Sequence, residues 1–308
     1  MKEYSISKND EGIRLDKFIM RILANAPSSF AYKMLRKKNI VLNGKRAVGS
    51  ENLSVGDSVR FYLSDETFDK FSKKDADLIE YPMPPILYED DDILLVNKPA
   101  GMLSQRSSSS DVSLNEICRA YVKKTPSDDG TFVPSVCNRL DRNTSGIVTF
   151  AKTYRAARYL SEAFASHTLG KYYKCIAAGV IKDSTELSGT LVKSGDTNTV
   201  TVSKEGGAHI RTGIEPIRSN GELTLLKIRL YTGKTHQIRA HLASIGHPIL
   251  GDCKYGNREI NDKYRKAFGV RYQLLVCDRL DFPDDFPLEV YRGRIFSVDI
   301  PAIFDKVM

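Results

Sequence analysis

N-R-L-D-R-N-T-S-G-I-V-T-F-A, residues 138–151, sets one carboxylate, Asp141, between two guanidinium groups, Arg139 and Arg142. A small polar turn, Asn143-Thr144-Ser145-Gly146, leads into Ile147-Val148-Thr149-Phe150, a β-branched and aromatic run that reads as a buried strand. Asp141 therefore sits on a loop feeding a sheet, where a scaffold can hold a side chain out toward a ligand. The adjacent cations favour its charged form. That suits a nucleophile or an electrostatic stabiliser better than a proton donor. From these residues alone, a structural Arg–Asp pair closing a loop is the other reading.

The chain has 308 residues, enough for about two domains. With 41% hydrophobic and 27% charged residues it has the composition of a globular protein. No apolar run approaches the ~18 residues of a membrane span, and the opening MKEYSISKND lacks the apolar stretch of a signal peptide. The five cysteines are scattered, odd in number and without a C-x-x-C pair. A disulfide framework and a zinc site are both disfavoured, and a cytoplasmic location is expected. A formal charge of +8 favours an anionic partner.

Residues 13–63 read as a separate module. Leu15, Phe18, Ile19 and Ile22 recur at helical spacing. Pro27-Ser28-Ser29 then supplies a break and an N-cap for a second helix, Phe30 to Lys37. Ile40–Leu42 forms a strand, and Asn43-Gly44 a hairpin turn toward an extended stretch ending at Phe61. Lys33, Arg36, Lys37, Lys38, Lys45 and Arg46 fall within this module with no acidic residue among them, a cationic face able to track phosphates. The stretch 64–82, rich in alternating charge and closing on Pro82, Pro84 and Pro85, reads as a solvated linker. Ser107–Ser110 reads as a small flexible loop.

The second module opens with Ile86-Leu87-Tyr88 and the apolar strand Ile93–Asn97, ended by Lys98-Pro99-Ala100-Gly101. Helices are expected over Asp111–Lys123 and about Thr153–Ser166. Lys171–Gly179 is a strand that interleaves basic and aromatic residues, with Tyr172 and Tyr173 on opposite faces. After a polar stretch, Thr212–Arg218 and Leu223–Tyr231 flank a Ser219-Asn220-Gly221 hairpin turn. Thr235 is placed to N-cap a helix stopping at Gly246, with Ile238, Leu242 and Ile245 as its apolar stripe. His236 and Arg239, at i and i+3, share another face and can address one site. His236 and His241 are about 140° apart on a helix, so they do not suggest one metal.

These motifs resemble a known family. Arg139-Leu140-Asp141-Arg142-Asn143-Thr144-Ser145-Gly146 is similar to the catalytic motif of the RluA-type pseudouridine synthases. Thr232–Asp252, T-G-x-T-H-Q-I-R-x-H-L-A-x-x-G-H-P-I-L-G-D, resembles their other signature, and the K-P-x-G of Lys98–Gly101 occurs in them as well. The family usually has His where this chain has Asn138, which can hydrogen-bond but not titrate. The N-terminal arrangement R-L-D-K-F…S-S…LRKKNIVLNGK…GD-x-V is similar to the S4 RNA-binding domain.

The resemblance implies an α+β fold: a small S4 (αL-type) domain over 1–63, a linker over 64–82, and a mixed α/β synthase domain over 83–308 with a largely antiparallel central sheet. It implies Asp141 as the catalytic residue, Arg239 as its ion-pair partner and Tyr173 as the active-site tyrosine, contacting the base and a candidate to help deprotonate C5. Lys33, Arg36, Lys37, Lys38, Lys45, Arg46, Arg139, Arg142, Lys171 and His236 are the expected RNA contacts. The reaction moves a uracil from N1 to C5 attachment without net redox, so no cofactor and no metal are expected. The implied partner is structured RNA, 23S ribosomal RNA ahead of transfer RNA, met by a monomer. A non-catalytic S4-type binding protein would have no need to keep Asp141, Tyr173 and Arg239 together. A hydrolytic glycosidase would need a second carboxylate, which is not evident near either motif.

Overall fold

Residues 1–71 close on a core of their own. Strand β1 (Lys2–Ser5) precedes helices α1 (Leu15–Ile22) and α2 (Ser28–Arg36), followed by β2 (Ile40–Leu42), β3 (Ser58–Phe61) and α3 (Asp65–Phe71). The computed structural model describes residues 1–72, 81–108, 111–123, 132–194, 199–203 and 205–308. Leu15, Phe18 and Ile19 of α1 pack with Ala31, Met34 and Leu35 of α2 on Ile40, Val59 and Phe61 of the sheet β1-β3-β2. Helix α2 starts at Ser28 with Pro27 in the cap position, so the serines occupy its first turn and do not cap it. Asn43 and Gly44 both take positive φ, 50° and 72°, as a two-residue turn requires.

The stretch expected to be a linker begins as a helix. Ser64 caps α3 by accepting from the Thr67 amide at 3.2 Å, with Asp65 and Glu66 in the first turn. Phe68 is buried in the N-terminal core, and Phe71 lies against Phe30 with ring centroids 4.6 Å apart. Two apolar residues in seven are too few for helical periodicity to stand out. Residues 73–80 of that stretch, and Ser109–Ser110 of the serine loop, lie outside the described residues.

The larger module runs β4 (Ile86–Glu89), β5 (Ile93–Lys98), α4 (Leu114–Lys123), β6 (Ser135–Val136), β7 (Ser145–Ala151), α5 (Tyr154–Ala165) and β8 (Gly170–Ala178). It continues through β9 (Thr185–Ser194), β10 (Thr199–Ser203), β11 (Ala208–Ser219), β12 (Leu223–Leu230), α6 (Gln237–Ser244) and α7 (Arg258–Phe268). It closes with β13 (Leu275–Asp281), β14 (Ile295–Ser297) and α8 (Ile303–Val307). Among the described residues these strands form one sheet ordered β10-β9-β11-β12-β8-β13-β7-β5-β4, with β6 beside β7 and β14 beside β13. Strands β7 and β13 run parallel, and the other described pairings are antiparallel. The expected mixed α/β domain with a largely antiparallel sheet is what forms.

Alternation along β8 assigns the two faces. Tyr173 and Cys175 join the core beneath α4, α5 and α6, whereas Ile176 joins a second core under α7 and α8. The polar stretch before β11 contains β9 and β10, an extension of the sheet against which α6 packs. The two modules touch through α5: Tyr154 packs on the N-terminal core, and the Arg21 guanidinium lies 5.1 Å from its ring centroid.

Gly146 is where the central parallel pair permits no side chain. Its φ is +113°, and a Cβ there would stand 2.2 Å from the Cys277 carbonyl oxygen. Gly146→Ala should therefore part β7 from β13 and cost at least about 3 kcal/mol. A fall in the urea midpoint checks this, and an unchanged midpoint would mean the strands have slack there.

Candidate active site

The loop that carries Asp141 is tied down on every side. Asn138 donates from Nδ2 to the Ile147 carbonyl at 3.2 Å and accepts from the Thr149 amide and hydroxyl at 2.7 and 2.9 Å. The residue that replaces the family's His thus anchors the loop to β7. Ser104 Oγ bridges the amide and carbonyl of Leu140, at 3.0 Å each, and Gln273 Nε2 donates to Thr144 Oγ1 at 3.2 Å. Beneath the loop lies Lys98, with no exposed surface, its Nζ donating to the carbonyls of Pro99, Met102 and Arg142 at 3.1, 2.8 and 3.2 Å. Burial pushes its ammonium down to about 7, while Asp141 pulls the other way.

Neither flanking arginine pairs with Asp141 among the described residues. Both are exposed, and Arg142 turns back to donate from Nε to the Gly101 carbonyl at 3.1 Å. The cation that meets Asp141 comes from α6: Arg239 Nη1 donates to Asp141 Oδ2 at 2.9 Å. Arg239 is itself clamped by Asp252, with Nε to Oδ2 at 2.6 Å and Nη2 to Oδ1 at 2.9 Å. This fork uses one edge of the guanidinium and leaves Nη1 to address Asp141 alone, which makes the contact directional as well as charged. Burial pushes the Asp252 carboxyl up, but Arg239 and the amides of Lys254 and Tyr255 outweigh it and hold it below the ordinary carboxylate value. Arg239 is pushed down by burial and more than restored by its two carboxylates, so it stays charged.

Helix α6 reaches this position without a side-chain cap. Its cap position is His236, in a left-handed backbone with φ 56° and ψ 14°, not Thr235. Gln237 closes the entry instead, accepting from the Lys234 amide and the Thr232 hydroxyl while donating to Thr212 and the Arg211 carbonyl. His236 is thereby aimed inward, its Nε2 3.9 Å from Asp141 Oδ2 and its Nδ1 3.0 Å from the Tyr255 hydroxyl. Ile238 and Leu242 are buried as their spacing predicts, whereas Ile245 lies past the helix end and is 38% exposed.

Asp141, Arg239, His236, Tyr173, Lys171, Arg139 and Arg142 all line one cavity of about 520 Å³, a size typical of a ligand site. Its apolar wall includes Leu230, Ile238 and Leu275. Burial drives the Tyr173 hydroxyl well above the usual tyrosine value, with the Cys277 thiol adding to it, so Tyr173 is a neutral phenol. Tyr172 points to the opposite face, where the Arg279 guanidinium lies 5.1 Å from its ring centroid.

Residues 92–244 match the model of the RNA pseudouridylate synthase family. Over 282 residues the chain is 30% identical to the ribosomal large subunit pseudouridine synthase C of Vibrio vulnificus, covering 90% of this chain and 87% of that one. The chain belongs to the RluA-like RNA pseudouridine synthase family. It is thus an isomerase that acts on RNA. A second relative of the synthase, an RNA pseudouridine synthase of Aquifex aeolicus, is 31% identical over 313 residues, with 99% and 95% of the two chains covered. Human RNA pseudouridylate synthase domain containing 4 shares the fold, with a TM-score of 0.59 at 22% identity over 71% of this chain and 90% of that one.

The six N-terminal cations of the synthase lie apart from the cavity. Lys33, Arg36, Lys37, Lys38, Lys45 and Arg46 are all exposed, with no acidic partner within 4.0 Å among the described residues. Asp252 and Tyr255 join this site without a role foreseeable from spacing or composition. Asp252 is the last residue of the second signature, so its position was visible and its bond to Arg239 was not. Tyr255 carries no sequence signal beyond being aromatic.

Proposed function

We propose that the synthase isomerises uridine in large-subunit ribosomal RNA in the cytoplasm, with Asp141 as the catalytic carboxylate. The observation that carries this is the Asp141–Arg239–Asp252 chain, which points a partly exposed carboxylate into a cavity of nucleotide dimensions. When the N1–C1′ bond breaks, its electron pair stays on the uracil and positive charge grows at C1′. Asp141 is the group able to meet that charge. The base then turns, C5 joins C1′, and the C5 proton is lost to solvent. As a neutral phenol, Tyr173 packs against the base and is poorly suited to taking that proton.

The target uridine must leave its helix to enter such a cavity, at a cost of a few kcal/mol in unstacking. Arg139 and Arg142 stand at the loop surface, where flanking phosphates would pass, with Lys171 and His236 inside. The N-terminal module is proposed as the S4-type RNA-binding domain, extended by α3 beyond residue 63 and joined to the catalytic domain from 83 onward. Its helix–helix–strand order and exposed cationic face support that role, and a second binding module raises the effective concentration on a large RNA. The Vibrio vulnificus relative is named for the large ribosomal subunit, which supports the choice of substrate.

The test is release of tritium from RNA labelled at uridine C5, comparing large-subunit ribosomal RNA with transfer RNA transcripts. Release from the ribosomal transcript alone is expected, and release only from transfer RNA would overturn the substrate. Replacing Lys33, Arg36, Lys37 and Lys38 together with Ala should lower the slope of log affinity against log salt by about 3. KM for long RNA should rise while kcat on a short hairpin carrying the target stays put. An unchanged slope would remove the N-terminal face from the RNA interface.

A further inference from the structure

We infer that His236 donates a hydrogen bond from Nε2 to the uracil as it leaves C1′, and that Tyr255 fixes the tautomer that makes this possible. The inference rests on Asp141 being the catalytic carboxylate. His236 holds a left-handed backbone that residues with a Cβ rarely adopt, and it does so without capping the helix that follows. The conformation delivers the ring into the cavity wall, with 9% of the side chain exposed and Nε2 3.9 Å from Asp141 Oδ2.

On the other side of the ring, Nδ1 lies 3.0 Å from Tyr255 Oη. That oxygen already accepts from the Val200 amide at 2.8 Å, so its own proton is free to go to His236. Nδ1 is then an acceptor, and a neutral imidazole must carry its proton on Nε2. Burial is the largest influence and favours the neutral ring; Asp141 opposes it, Arg239 and Lys254 add to it, Asp252 opposes it, and the neutral form is favoured on balance. The Tyr255 ring is itself held, with the Arg239 guanidinium 5.1 Å from its centroid. The result is a fixed N–H directed into the cavity beside the reacting carboxylate.

Cleavage of N1–C1′ leaves the bonding pair on the uracil, delocalised over N1, O2 and O4. A preorganised N–H aimed at that charge stabilises the transition state without any proton leaving His236. Asp141 meets the sugar end of the breaking bond, and His236 meets the base end.

The test combines ¹⁵N imidazole spectra with single-turnover kinetics. The chain has five histidines, and the resonance lost in His236→Gly identifies the one concerned. Glycine suits the left-handed backbone, so this variant should fold. The wild type should show the Nε2–H tautomer, and Tyr255→Phe should shift it toward an Nδ1–H mixture. The single-turnover rate should fall about 10²–10³-fold in His236→Gly, as for loss of one oxyanion-type donor. In Tyr255→Phe a fall of about tenfold is expected, since part of the tautomer population persists. RNA affinity should fall by no more than a few-fold in both, because phosphate contacts elsewhere set most of it. An Nδ1–H tautomer in the wild type, or a rate for His236→Gly within twofold of wild type, would overturn the inference. If Asp141→Asn is inactive while His236→Gly is fully active, only this inference fails. An active Asp141→Asn would instead sink the reading on which it rests.

Discussion

Asp141→Asn should be a folded, RNA-binding protein with a single-turnover rate at least about 10⁴-fold below wild type. The substitution keeps the shape of the side chain and removes the charge that meets C1′. The frame should survive, because Asn138, Ser104, Thr144 and Lys98 hold the loop through bonds that do not involve the Asp141 carboxylate. Arg239 also remains clamped by Asp252 through its other edge. Affinity for RNA should therefore stay within a few-fold, set by phosphate contacts elsewhere. Single-turnover tritium release with a filter-binding control separates the two quantities. A variant that still isomerises uridine at a tenth of the wild-type rate would show that another group meets the charge at C1′.

Arg239→Leu should lose both activity and stability, with stability falling by about 3–5 kcal/mol at neutral pH. The residue left behind is Asp252, with no exposed surface and, among the described residues, the amides of Lys254 and Tyr255 as its remaining side-chain partners. The pH dependence distinguishes this from a packing defect. In the wild type the Asp252 carboxyl is held below its ordinary value. Its contribution is present above about pH 4 and is lost as the pH falls through the lowered value. Without Arg239, burial raises the same carboxyl, and protonation then relieves the folded state. The gap between variant and wild type should narrow as the pH drops from 7 toward 5. Urea midpoints across that window measure it, and a gap that widens in acid would contradict the ion-pair explanation.

Much of the site was legible because chemistry and spacing coincide within short stretches. Asp141 on its loop, Arg239 one turn from His236, and Tyr173 opposite in face to Tyr172 follow from local pattern, whereas their grouping into one site came from the family resemblance. What was missed depends on partners far away in the chain. Arg139 and Arg142 adjoin Asp141 in sequence, yet the loop sends both outward, and only the family resemblance, not any local pattern, pointed to Arg239, 98 residues later, as the pairing cation. Thr235 has the chemistry of a cap, but Gln237 takes over the turn and frees His236 to point inward. Strands β9 and β10 read as polar because their Thr, Ser and Lys residues mask the alternation. The central place of β13 follows from pairings such as Cys277 with Gly146, which nothing local encodes.

The most direct measurement is pseudouridine mapping of total RNA by carbodiimide-dependent reverse-transcription stops. It would compare a strain lacking the protein with strains carrying the wild type or Asp141→Asn. Sites in large-subunit ribosomal RNA should vanish in the deletion, return with the wild type and stay absent with Asp141→Asn. Sites that return equally with Asp141→Asn, or a deletion that changes no site, would contradict the assignment of Asp141 as the catalytic carboxylate of this synthase.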